Sequence, residues 1–206
     1  MCQILIQEGV GINEVNNDGH TPLSLWMKGK DGASRTLRSL QSGQALELFE
    51  QKSMFLLLAR NGADMNVRYP EESFPDDKNY KCSIIINIIR HAAIDMEYMR
   101  PNLQCLFEFG AKLNVVDSHG RDALMYAIMH NDFELIRFLL NNKDNGLLRN
   151  HTDNEGKNAI HYVVNPAKFG SFENATILNA LINTNSFFDL NQRDKDGKAP
   201  LDYALL

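Results

Sequence analysis

Between Val116 and Asn142 the apolar residues fall into two short clusters with the same spacing. Ala123, Leu124, Ala127 and Ile128 recur at i, i+1, i+4 and i+5, which lays them along one face of a short helix. Leu135, Ile136, Leu139 and Leu140 repeat that spacing and predict a second helix against the first. Polar residues punctuate the pattern. Asp117-x-x-Gly120 predicts a turn, because Asp bonds its own backbone and Gly accepts positive φ. Asn131-Asp132 separates the helices with residues that favour turns and N-caps. A helical hairpin of this size cannot bury its own apolar face, so the pattern predicts copies of itself on either side.

Those copies are present. Asp-x-x-Gly recurs as Asp117–Gly120, Asp153–Gly156 and Asp194–Gly197, with Asn16–Gly19 as a looser version upstream. Short apolar starts follow: Thr21-Pro22-Leu23, Ala123-Leu124, Ala159-Ile160-His161 and Ala199-Pro200-Leu201. Unit ends recur as Glu8-Gly9-Val10-Gly11-Ile12-Asn13, Asn61-Gly62-Ala63-Asp64-Met65-Asn66 and Phe109-Gly110-Ala111-Lys112-Leu113-Asn114. On these residues the chain resembles the ankyrin-repeat family, whose Asp-x-x-Gly-x-Thr-Pro-Leu-His and Leu-Leu-x-x-Gly-Ala-x-x-Asn halves it matches in order. The resemblance implies an all-α solenoid of helix-turn-helix units joined by β-turn or hairpin fingers. It also implies a non-catalytic role in binding protein partners.

The expected organisation is a single array over 1–206. Its units run approximately 1–15 (partial), 16–66, 67–115, 116–152, 153–193 and 194–206 (partial). Gln3 to Gly9 reads as the end of a second helix and Asp202 to Leu206 as a first helix, so the array is expected to be truncated at both ends. This implies a segment of a longer polypeptide, or an array completed by a partner. The 16–66 unit is interrupted over 28–46 by a Gly-, Ser- and Lys/Arg-rich stretch of the kind that forms exposed loops. Trp26 stands where the family usually has a small residue, and is expected to fill space beside that insertion. In the 67–115 unit an acidic, Pro-bearing stretch over 69–79 replaces the usual turn, and Cys82 to Ile89 predicts a buried first helix. Pro101 fits the first turn of the next helix, where the missing N–H costs nothing. Asn142 to Asn150 reads as a long finger between units, which lengthens the 116–152 unit beyond the family period of about 33 residues. A further insertion is expected over 165–174, between the two helices of the 153–193 unit.

Composition narrows the function. A hydrophobic content of 44% is ordinary for a folded chain. The formal net charge of −5 argues against a nucleic-acid binder, which would usually be basic. No apolar run approaches the roughly 20 residues of a membrane helix, and the start of the chain lacks the pattern of a signal peptide. Cys2, Cys82 and Cys105 are far apart and make neither a zinc motif nor a disulfide framework. The expected location is therefore intracellular, in cytoplasm, nucleus or cytoskeleton.

No catalytic constellation emerges. Gly29-Lys30-Asp31-Gly32-Ala33-Ser34 lacks the residue order of a phosphate-cradling loop. His119 and His130 lack the third ligand a zinc site needs. No enzyme activity, cofactor, metal, nucleic acid or membrane is expected. His161 occupies the family's Thr-Pro-Leu-His position, where the resemblance implies an imidazole bonded to neighbouring turns.

What the resemblance implies instead is a binding surface of finger tips and first-helix residues along a concave face. It comprises His20, Ser118, His119, Arg121, Tyr126, Met129, His130, Asn154, Glu155, Lys157 and Tyr162, flanked by Asn17, Asp18, Lys195, Asp196 and Lys198. Tyr126, Arg121 and Tyr162 are the expected anchors, since aromatic and Arg residues concentrate binding energy at interfaces. An alternative makes the array a targeting or regulatory region of a larger multidomain enzyme. Asn158-Ala-Ile-His-Tyr-Val-Val-Asn-Pro and Phe-Gly-Ser-Phe-Glu-Asn, within the 153–193 unit alone, are similar to ankyrin arrays that precede WGR and catalytic domains in poly(ADP-ribose) polymerases.

Overall fold

The computed structural model describes residues 11–28, 56–70, 81–90, 103–164, 171–183 and 188–205. The chain divides into two compact units, Met1–Ala111 and Lys112–Leu206. Most of the 28–46 and 69–79 stretches, Pro101, and the terminal segments over 1–10 and at 206 lie outside the described residues.

In the first unit, helix α1 (Pro22–Lys28) follows Thr21, whose hydroxyl oxygen accepts the Ser24 amide at 3.2 Å. Pro22 opens this helix at a position where no backbone donor is needed. Upstream, the Asn16 side chain accepts the amides of Asp18 and His20 at 3.0 and 2.9 Å, closing the Asn16–Gly19 turn. Residues 56–60 are helical and end at Asn61-Gly62. The end-of-unit asparagines link separate turns. Asn13 donates through Nδ2 to the Gly62 carbonyl at 2.8 Å and accepts the Asp64 amide through Oδ1 at 2.8 Å. Asn66 donates to the Gly110 carbonyl at 3.0 Å. One side chain thereby supplies both donor and acceptor to backbone left over at a helix end.

The finger of the 67–115 unit is a short antiparallel pair, β1 (Arg68–Pro70) and β2 (Lys81–Ser83), with Tyr69 opposite Cys82. Helix α2 (Ile84–Arg90) starts directly after β2. The predicted helix over Cys82–Ile89 is therefore corrected at its start. Cys82 and Ser83 belong to the strand pair, and the Ser83 hydroxyl oxygen accepts the Ile86 amide at 3.2 Å. From Ile84 to Ile89 every residue is buried, which explains a helix of β-branched residues: tertiary burial overrides their strand preference.

In the second unit, α3 (Ala123–Met129), α5 (Ala159–Val163) and α7 (Pro200–Ala204) are first helices; α4 (Phe133–Asn141) and α6 (Ser171–Asn183) are second helices. Helix α3 packs on α4 and α5, α6 packs on both α4 and α5, and α7 packs on α5. The core between these layers holds Leu124, Ile128, Leu135, Ile136, Leu139, Ile160, Val163, Ile177 and Leu181, all essentially inaccessible. These include five of the eight apolar positions that define the helical spacing in the sequence, and Ala123 and Ala127 are equally buried. Asp122 and Asp132 cap α3 and α4, accepting the amides of Met125 and Leu135 at 2.8 and 2.9 Å. Asn131 joins the two helices at φ 55°, a conformation that Asn tolerates better than most residues.

Two boundaries differ from expectation. Ser171–Asn174, assigned to the 165–174 insertion, opens α6 instead, while 165–170 lies outside the described residues. The expected finger over 142–150 is a packed turn. It contains a 3-10 turn (Lys143–Asn145), a carbonyl at Asn145 that accepts the Leu113 amide at 2.8 Å, and a buried Leu147.

Successive fingers of this unit are bonded to one another. The Asn154 amide and side-chain Nδ2 donate to the carbonyls of His119 and Ser118, each at 2.8 Å. The Lys195 amide donates to the Glu155 carbonyl at 2.9 Å. His151 Nε2 donates to the Gly120 carbonyl at 2.7 Å. His161 Nε2 donates to the Lys198 carbonyl at 3.2 Å, so its Nδ1 is free to accept the Asn158 amide at 3.2 Å. That is the turn-to-turn geometry the family position implies.

Gly120 and Gly197 share a φ of 75° but differ in surroundings. A Cβ on Gly120 would lie 2.8 Å from the Asn154 backbone nitrogen, whereas one on Gly197 meets nothing within 4 Å. Alanine at either position pays about 1–2 kcal/mol for positive φ. Only Gly120→Ala also pushes two bonded fingers apart. In denaturant unfolding of the two variants, Gly120→Ala is expected to lose at least ~1 kcal/mol more than Gly197→Ala. Equal losses would show that the finger–finger bonds contribute little.

Candidate interaction surface

Each Asp-x-x-Gly turn of the second unit is organised around its aspartate. Oδ1 of Asp117 accepts the amides of His119 and Arg121 at 2.8 and 2.7 Å, and Oδ2 accepts the Tyr126 hydroxyl at 2.7 Å. Asp153 does the same with the amides of Glu155 and Lys157, both at 2.8 Å, and the Tyr162 hydroxyl at 2.6 Å. Asp194 accepts from Asp196, Lys198 and Tyr203 in the same way. Each tyrosine stands nine residues beyond its aspartate, on the first helix, so one buried carboxylate ties a finger to the helix it precedes. Asn16 keeps the two amide bonds, but Leu25 occupies the tyrosine's place and no such tie exists there.

These contacts set the charge states. Burial works against the Asp117 carboxylate, yet the Tyr126 hydroxyl and the Arg121 amide and guanidinium outweigh it and hold its pKa below the ordinary value. Asp194 shifts the same way, against burial, through Tyr203 and the amides of Lys198 and Asp196. Tyr203 is pushed up to about 12 by the bond to Asp194, and Tyr162 is raised by burial and by Asp153. Asp122 behaves oppositely. It is almost completely buried, and desolvation raises its pKa to about 6 despite the Met125 amide.

Cations lie over this frame. Arg121 bonds Asp117 through Nε at 2.8 Å and through a terminal nitrogen at 2.7 Å, and its guanidinium lies 5.0 Å from the Tyr126 ring centroid. Lys157 and Lys198, at the matching positions of the next two turns, place their ammonium groups 5.5 and 5.3 Å from the Tyr203 ring centroid. Tyr126 stacks on His130 with centroids 6.4 Å apart.

The site residues named from sequence divide by burial. His119, His130, Asn154 and Glu155 are exposed; Ser118, Arg121, Met129, Lys157 and Tyr162 are half-buried. Together they occupy the fingers and first helices of the second unit. Tyr126, at 3% exposure with its hydroxyl spent on Asp117, is a packing residue rather than an exposed anchor. His20 belongs to the first unit and is buried at 3%, its Nδ1 lying 3.5 Å from the Ser24 hydroxyl. Tyr126 is turned inward because α3 directs it at the preceding turn, whereas His20 lies ahead of α1, at the end of the Asn16–Gly19 turn. The three aspartates and Tyr203 are the structural frame that the surface reading left out. The repeated nine-residue interval from Asp to Tyr is the signal in the sequence.

On the opposite side, α4 and α6 leave an open groove of about 420 Å³ lined by residues including Phe133, Arg137, Leu140, Thr176 and Asn179. Among the described residues no helix is long and apolar enough to cross a membrane.

Residues 89–178 match the family model for ankyrin repeats, in three copies. A crystal structure of an ankyrin repeat domain from Acinetobacter baumannii AYE is similar over 98% of this chain and 83% of that one, with 21% sequence identity and a TM-score of 0.65. No curated protein matched the sequence. The chain thus carries ankyrin repeats over 89–178 and has the fold of an ankyrin-repeat domain, an α-helical solenoid. Repeats of this kind generally serve protein–protein interaction and are typically non-catalytic.

Two predictions follow from the carboxylates. Tyr126→Phe removes one donor from a buried charge and is expected to cost about 1–2 kcal/mol. Because Asp117 is depressed in the folded state, the stability it contributes is present above about pH 4 and lost as pH falls further. Tyr126→Phe should therefore shift the acid-unfolding midpoint upward, and an unchanged midpoint would count against the tie. Asp122, raised in the folded state, has the opposite sign: its contribution is full below about pH 4 and lost as pH rises through about 6. Asp122→Asn keeps a capping carbonyl, as native Asn158 does at the matching position. It should gain stability over wild type between pH 4 and 7, by on the order of 2 kcal/mol. A pH-independent difference between the two proteins would refute this.

Proposed function

We propose that this chain binds a protein partner through the fingers and first helices of the Lys112–Leu206 unit, over 116–152 and 153–193. The observation that carries this reading is the repeated carboxylate tie, which fixes each finger to its helix while neighbouring fingers bond backbone to backbone. A surface held this way loses little conformational freedom on association, so more of each contact appears as affinity. His119, His130, Asn154 and Glu155 are the exposed contacts, and Arg121, Met129 and Tyr162 line the surface at half-burial. Tyr126 supports the surface from below.

The test begins with capture of the partner from source extract and its purification. The combined variant His119→Ala, Met129→Ala, His130→Ala is expected to weaken binding at least ~10-fold, or ~1.4 kcal/mol, with an unchanged melting temperature. Arg137→Ala, in the groove between α4 and α6, is expected to bind as wild type. Loss in Arg137→Ala with retention in the finger variant would move recognition to the second-helix side and overturn the proposal.

A further inference from the structure

The groove between α4 and α6 is lined by one row of side chains from each helix. Phe133, Arg137 and Asn141 stand at i, i+4 and i+8 on α4, and Thr176, Asn179 and Asn183 at i, i+3 and i+7 on α6. The remaining lining residues are apolar: Leu140 is buried and Ala180 half-buried. A volume of about 420 Å³ falls within the roughly 300–1,000 Å³ of ordinary ligand sites. The side chains of Asn141, Asn179 and Asn183 are exposed, and their amides form no hydrogen bond among the described residues. Arg137 brings no uncommitted charge, because it contacts Glu134 at 3.5 Å and lies 5.9 Å from the Phe133 ring centroid. No other lining residue is ionisable. The groove therefore offers hydrogen bonds and apolar surface rather than an electrostatic field.

Elsewhere in this chain asparagine amides bind main chain that is remote in sequence. Asn13 donates to the Gly62 carbonyl and accepts the Asp64 amide, each at 2.8 Å. Asn66, Asn154 and Asn158 donate to the carbonyls of Gly110, Ser118 and Asp189. A primary amide serves both kinds of backbone group because it carries donor and acceptor side by side. The three groove asparagines hold that capacity unused. A helix laid in the groove would not answer it, since its main chain is bonded internally. An extended segment would, because its N–H and C=O groups are unpaired along its length. From Phe133 to Asn141 the row spans about 12 Å, the length of roughly four extended residues. We propose that this groove binds an extended, uncharged segment of a partner protein, with its main chain on Asn141, Asn179 and Asn183 and one apolar side chain against Leu140 and Ala180. The site is separate from the finger surface proposed above.

The test follows the asparagine side-chain amide signals of the full, isotope-labelled chain by NMR as peptide is added. Because main chain carries the contact, a generic end-blocked peptide, Ser-Thr-Val-Leu-Val-Thr-Ser, serves as the probe. It is expected to shift the groove amide signals saturably, with an affinity that changes by less than about twofold on adding salt. A copy N-methylated at alternate residues loses backbone donors and should bind about tenfold or more weakly. The double variant Asn179→Ala, Asn183→Ala should lose about tenfold at an unchanged melting temperature, since both side chains are exposed. The finger variant His119→Ala, Met129→Ala, His130→Ala should bind the peptide as wild type. Absence of saturable shifts, steep salt dependence, or full retention in the double asparagine variant would overturn the site. So would tighter binding of a hydrocarbon-stapled helical peptide of the same composition. The finger surface is tested on the captured partner and stands or falls separately.

Discussion

A buried aspartate in each turn is the constraint on which the Lys112–Leu206 unit depends. Two backbone amides point at one of its oxygens and a tyrosine hydroxyl at the other, so the turn cannot relax without leaving a charge unpaired in the interior. The same arrangement appears at Asp117, Asp153 and Asp194, which makes it the unit of construction and not a local accident. Removing one partner costs more than a single bond is worth, because the desolvated carboxylate remains. These turns are therefore fixed points from which the first helices are aimed.

Hydrophobic burial supplies most of the driving force, but by itself it has little directional information. Leu124, Ile128, Leu135 and Leu139 would be equally dry in several helix registers. The caps at Asp122, Asp132 and Asn158 and the bonds between fingers select one of them. The division of labour also explains the surface. Finger backbone is used up in turn-to-turn bonds and the aspartates lie below, so the side chains presented outward lie outside the carboxylate ties: His119, His130, Asn154 and Glu155. Recognition chemistry can vary there without altering the frame.

Asp122 illustrates the cost of one choice within that frame. It caps α3 with a group that desolvation pushes toward protonation near pH 6, while the matching cap of α5 is the neutral Asn158. Asn158 also donates to the Asp189 carbonyl at 2.7 Å, linking the cap to a distant loop. A neutral amide can serve both roles at once. The nearby His151, which eases the charge on Asp122, also donates to the Gly120 carbonyl, so cap and finger are electrostatically connected.

The repeat, the turn chemistry and the helix faces are legible in the residues alone. Asp-x-x-Gly, the apolar pairs four residues apart and Gly-Ala-x-x-Asn are local patterns, and local sterics and solvation give each one structural meaning. Tertiary structure decided what depends on neighbours. It turned Cys82 and Ser83 into a strand, because Arg68–Pro70 offered a ladder, and kept the isoleucine run that follows as a helix by burying it on all sides. It drew Ser171–Asn174 into α6 and placed Tyr126 inside, although Tyr126 and the half-buried Tyr162 occupy the same register in the sequence. The placing of a tyrosine ring above or within a surface depends on what the next turn lays over it. That is a property of contacts between residues far apart in the chain, and no single repeat encodes it.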